Sequence, residues 1–193
     1  MWRVAHLVTI AAVVLSASGC ASAVGDLHAE PGVTPAGAAT VQRQPPAGSC
    51  HARGHGLFTL PDPRCSPGAV DRRVTQADIH STICRRGYTR RVRPPESVTR
   101  IEKRASMVAY GDRGSSRRYE YDHLIPLELG GAPNDPRNLW PEPGRTPNPK
   151  DELEDRLRRQ VCEGVLPLAS ARRQIARDWV TDYNRLIAPA GVS

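Results

Sequence analysis

Asp122 and His123 stand side by side in the run Tyr119-Glu120-Tyr121-Asp122-His123-Leu124-Ile125-Pro126-Leu127, and Asn138 follows His123 by fifteen residues. Hydrolysis of a phosphodiester needs an activated water, a cation on a phosphate oxygen, and firm positioning of both. Imidazole is the natural base near neutral pH, because its pKa lies there. A carboxylate is a hard oxygen ligand suited to Mg²⁺. Neighbouring residues of a strand face opposite ways, so the pair divides the work, with Asp122 toward a metal and His123 toward water.

Residues so placed require a particular order of elements. Tyr119 to Leu127 reads as a strand entering a loop. Glu128 to Arg137 consists of turn formers, and Asn138-Leu139-Trp140-Pro141 returns as a short strand. Asn148-Pro149 opens a helix, with Asn as cap and Pro in the first turn. Leu153, Leu157 and Val161 share one face of it, and Gly164 ends it. A second amphipathic helix covers Leu168 to Leu186, its buried stripe marked by Leu168, Ala171, Ile175, Trp179, Tyr183 and Leu186, with Arg172, Arg173 and Arg177 facing outward. Upstream, Val74 to Ile79 leads into a short helix ending near Cys84. Thr89 to Arg93 is expected to be extended before Pro94-Pro95. Ser97 to Tyr110 reads as a helix capped by Ser97 and facing inward through Ile101, Ala105 and Val108.

The string Asp122-His123-Leu124-Ile125-Pro126-Leu127, followed by Asn138-Leu139, resembles the HNH nucleases of the ββα-metal fold. The wider stretch from Tyr119 through Lys150-Asp151-Glu152-Leu153-Glu154 is similar to a subgroup of small exported bacterial HNH proteins. The resemblance implies an α+β fold: a small ββα-metal core flanked by helices, with two amphipathic helices at the C-terminal end and a disordered N-terminal tether. It implies a metal-dependent endonuclease acting on DNA, with RNA as the second substrate class. His123 is then the general base, and Asn138 bonds loop backbone and fixes the His123 orientation. Asp122 is a metal ligand. The family's pattern ends in a His or Asn on the helix, and no His follows His123. Asn148 is the candidate second ligand and equally a helix cap, while Asp151 and Glu154 are alternatives by position. The expected ion is Mg²⁺ or another divalent metal, with Mn²⁺ and Zn²⁺ ranked behind. Arg117, Arg118 and Lys150 are candidate phosphate contacts, Lys150 being equally readable as a solvated charge.

The chain has 193 residues and a formal net charge of +7, and 25 of its 27 basic residues are arginine, Lys103 and Lys150 being the exceptions. Guanidinium groups bind phosphate bidentately. The charge is concentrated: residues 85–118 hold 11 basic and 3 acidic side chains, a balance of +8, just ahead of the Asp-His pair. Such a stretch is a nucleic-acid track or a solvated basic face.

Arg3 and the short apolar run Val4 to Ala17 describe an export signal over residues 1–19. Ala17-Ser18-Gly19-Cys20 resembles a lipobox, making Cys20 a lipidated first residue and a membrane anchor. Cleavage after Ala23 is the alternative. The product is either a lipoprotein on the outer side of the cytoplasmic membrane or a secreted protein. Residues 20–64 are rich in Ala, Gly and Pro and read as a flexible tether, leaving 65–193 as the HNH-like domain. In an exported chain Cys50, Cys65, Cys84 and Cys162 make two disulfides. The pairing expected is Cys50–Cys65 and Cys84–Cys162, since the first closes a local loop. No obligate protein partner is inferred. A second reading is a non-catalytic envelope lipoprotein that retains the HNH scaffold and binds anionic polymers.

Overall fold

In the computed structural model, which describes residues 39–188, four helices and two small antiparallel sheets make a mixed α+β architecture. The signal segment, Cys20 and the alternative cleavage site after Ala23 lie outside the described residues. β1 (Arg53–His55) pairs with β2 (Phe58–Leu60). Two helices follow, α1 (Tyr88–Val92) and α2 (Glu96–Ala109). β3 (Tyr119–His123) pairs with β4 (Leu139–Pro143), and α3 (Pro149–Cys162) and α4 (Leu168–Leu186) complete the chain.

Strand, loop, strand and helix therefore occur in the expected order. In the β3–β4 ladder Asp122 faces Trp140 and His123 faces Leu139. The α3 start has the expected chemistry. Asn148 accepts from the backbone N–H groups of Lys150 and Asp151, and Asp151 accepts from the Asn148 N–H. Two orphan donors of the first turn are thereby satisfied reciprocally. Leu153, Leu157 and Val161 are fully buried against Leu168, Ala171, Ile175 and Trp179 of α4. The N-terminus of α4 has no side-chain cap of its own. Gln76, in a short 3₁₀ turn (Gln76–Asp78), accepts from the Leu168 N–H at 2.7 Å instead.

Five local expectations change. Tyr88–Val92 is helical, because the proline restriction acts on the residue directly before Pro94; only Arg93 is extended, at ψ 128°. On α2, Ile101 and Val108 are 49% and 56% exposed, and the buried face is Glu102, Ser106, Met107 and Ala109. The cap position there is Pro95, not Ser97. That face is covered by the segment composition assigns to the tether. Gln42 donates its backbone N–H to Glu102, Gly48 to the Val108 carbonyl and Cys50 to the Ala109 carbonyl. Phe58 stacks on Trp179, and Asp62 accepts from the N–H groups of His51 and Arg64, so the packed body reaches back at least to Gln42. Arg172, expected to face outward, donates across the fold to the carbonyls of Leu129, Val74 and Gly130.

The disulfides are Cys50–Cys65 and Cys84–Cys162, the pairing expected from spacing. The second links positions 78 apart and joins the end of α3 to the loop before α1. Replacing both Cys84 and Cys162 by serine should lower unfolding free energy by about 2–5 kcal/mol. Urea denaturation of the variant and wild type would measure it, and an unchanged midpoint would remove this crosslink from the fold's support.

Candidate active site

Asn138 braces the loop between β3 and β4 from within. Asn138 accepts the Ile125 N–H at 2.9 Å through Oδ1, and its Nδ2 donates to the Ile125 carbonyl at 2.9 Å and the Ala132 carbonyl at 3.2 Å. Asn138 is fully buried, so these bonds replace water that cannot reach it. The glycine pair within the loop is required by closeness. Gly130 has φ 71°, a left-handed conformation closing a 3₁₀ turn at Leu127–Leu129, and a Cβ on Gly131 would collide with the Ile125 carbonyl oxygen.

That clamp positions His123. Its Nε2 lies 2.9 Å from the Pro133 carbonyl, a group that can only accept. Nε2 therefore carries the proton and Nδ1 keeps the lone pair, the form a general base needs. His123 is 5% exposed, and burial pushes its pKa down to about 4 although Asp122 pulls the other way. It is thus neutral at neutral pH.

Asp122, on the opposite face, meets Lys150. The Lys150 ammonium donates to Asp122 Oδ2 at 2.5 Å, to the His123 carbonyl at 2.9 Å and to Glu154. Glu142, from β4, lies 4.0 Å away and shares a side-chain hydrogen bond with Asp122 when it holds its proton. Lys150 is 1% exposed, so it stands inside the protein, not on a phosphate-facing surface. Burial alone would lower its pKa, but Asp122, Glu154 and Glu142 carry it well above the usual lysine range. Burial also pushes the Asp122 carboxyl up. The ammonium overrides that and leaves Asp122 below its ordinary value. Burial dominates at the other two carboxyls. Glu154 is raised to about 8, and Glu142 is held well above the carboxylate range. The core of the site is an ionised Asp122–Lys150 pair with two carboxyls that tend to keep their protons.

These positions do not form a metal seat as they stand. Asp122 Oδ2 is taken by the ammonium, and Asn148 Oδ1 is committed to the helix cap. Among the described residues no group of three or more His, Cys, Asp or Glu side chains is arranged to hold a metal ion.

A groove of about 500 Å³ runs along the start of β3 at Tyr119, Glu120 and Tyr121, lined among others by Arg100, Lys103, Arg104, Arg117 and Arg145. Glu120 links the two places. It is two residues from Asp122 on the same strand, and its carboxyl is raised by burial and then by the Asp122 charge. Arg117 lies in this groove. Arg118 instead folds its guanidinium over Gly114.

One contributor, Glu142, escaped sequence reading, while Lys150 and Glu154 were named in other roles. Lys150 and Glu154 fall on the buried stripe with Leu153 and Leu157, so the helical period itself marked them as interior. Glu142 carried no such mark. Comparison with protein-family models, with curated proteins and with solved structures finds no match in any of the three.

Proposed function

We propose that the protein is an exported phosphodiester hydrolase of HNH type that cuts DNA, with RNA as the second substrate class. The observation that carries the reading is the His123 geometry: an imidazole at the end of β3, its Nε2–H pinned to the Pro133 carbonyl and its Nδ1 left as the base, inside a loop clamped by Asn138. His123 takes the proton from the attacking water at Nδ1, and Asn138 holds the loop so that the ring does not turn. Asp122 keeps a negative charge directly behind His123 in the chain, and Lys150 bonds both residues. The groove supplies the binding side. Four of its cations, Arg100, Lys103, Arg104 and Arg117, come from the +8 stretch that precedes the Asp-His pair. Arg93 belongs to the same stretch, and its charge acts on His123.

Export is supported by the two disulfides, which persist in oxidising compartments. No helix among the described residues is long and apolar enough to cross a membrane. We propose lipid attachment at Cys20 as the anchor, with secretion after cleavage at Ala23 as the alternative.

The second reading, a non-catalytic binder of anionic polymers, is favoured by one observation: His123 and Lys150 are both nearly inaccessible. Binding and cutting separate the two. Affinity for duplex DNA should fall steeply with salt under either reading, at a slope near −0.9 per phosphate contact. Replacing Arg104 and Arg117 by alanine should flatten that slope by up to about two contacts. Replacing the exposed Arg173 and Arg177 should change it little. Equal effects from both pairs would mean diffuse attraction and would remove the groove as the track.

A further inference from the structure

We propose that Lys150 is the resident cation of this site, a positioning residue whose ammonium fills the place beside Asp122 where a divalent ion would otherwise sit. The inference rests on the reading above that Asp122 and His123 form one hydrolytic site. Three facts carry it. The ammonium has three N–H donors, and all three are used, on Asp122 at 2.5 Å, on the His123 carbonyl at 2.9 Å and on Glu154. Its acceptors are hard oxygens converging from β3 and α3, with Glu142 of β4 behind them, the donor type that Mg²⁺ and Mn²⁺ also prefer. Lys150 is 1% exposed, so the ammonium cannot be treated as a surface group that swings aside.

The consequence for His123 is positional. One ammonium bonds both the Asp122 side chain and the His123 backbone carbonyl, so it fixes the end of β3 from one side while Asn138 and Pro133 fix the loop and ring from the other. An ammonium is a point charge with no ligand-exchange chemistry. It can orient Asp122, but with every donor used it does not touch the phosphate. Charge developing on a phosphate oxygen must be met by the arginines of the groove and by Arg93.

The test uses the full chain and manganese alone. Wild type and Asp122→Asn are titrated with Mn²⁺ by calorimetry and by thermal melting. The inference predicts no Asp122-dependent binding, so either no heat and no shift, or the same weak signal in both proteins. Binding to wild type that disappears in Asp122→Asn would overturn it. Lys150→Met supplies the converse wherever it still folds. Emptying the seat should let Mn²⁺ raise its melting temperature, by the stabilisation a ligand gives a folded state, while wild type does not respond. Plasmid cleavage in excess chelator separates this inference from the functional reading. Cleavage that persists in chelator supports both. Cleavage that requires added metal overturns the resident cation and leaves the hydrolase. No cleavage in either condition ends the hydrolase reading, and the manganese comparison still judges Lys150.

Discussion

Lys150→Met should be the most destabilising single substitution in this protein, costing about 3–5 kcal/mol, because it leaves the buried Asp122 carboxylate without its cation. Asp122, Glu154 and Glu142 all converge on the ammonium, so one change strips every member of the cluster. Methionine has nearly the volume of the lysine stem, so packing loss is small and the deficit reports charge. The pH dependence distinguishes this from a cavity. Glu154 has a folded pKa raised to about 8 by burial, against an unfolded value near 4.5. Between those values the folded state holds a proton that the unfolded state has lost, so this group's contribution to stability falls as pH rises. Lys150→Met also removes the charge that holds the Asp122 carboxyl below its ordinary value, so a buried, unpaired Asp122 adds its own cost as pH rises. The Lys150→Met deficit should therefore be smaller at pH 5 than at pH 8, as read by urea midpoints at both values. A deficit of the same size at both would mean a packing defect, not an unpaired charge.

His123→Ala should abolish phosphodiester cleavage, by about 10²–10⁴-fold, the range lost with a positioned general base. The substitution also deletes the bond to the half-buried Pro133 carbonyl, at a cost of about 1 kcal/mol. Melting measured alongside separates the two effects. His123→Gln is the sharper variant. Its amide can still donate to Pro133 while offering no basic nitrogen, so it should restore part of the stability and none of the activity. Restored cleavage in His123→Gln would show that position 123 holds the loop and takes no proton.

The local signals in the sequence served well where they rest on short-range chemistry. Asn148-Pro149 opened α3 because capping and φ are decided within four residues. The span of α4, Leu168–Leu186, followed from a long periodic stripe. The signals failed where a distant partner decides. The apolar face of α2 points to solvent at Ile101 and Val108 because residues 42–50 lie across Glu102 and Ala109, and nothing in the α2 sequence announces that cover. The same segment read as tether because composition does not register a disulfide and a hairpin that fasten it. The site divides in the same way. Asp122, His123 and Asn138 were readable because they lie in one continuous loop motif. Lys150 was misplaced because a lysine near a helix start is usually solvated. Its period with Leu153 and Leu157 contained the correction. Glu142 was invisible, since its role depends on β4 facing β3.

In the proposed function His123, at the end of β3, is the working base against a phosphodiester. The most direct measurement is nicking of supercoiled plasmid by purified full-length protein, wild type against His123→Gln, at equal concentration, with and without chelator. Wild type should convert supercoiled plasmid to open circles, and His123→Gln should leave it intact under the same conditions. Equal nicking by both proteins, or none by a folded wild type in any metal condition, would contradict the account.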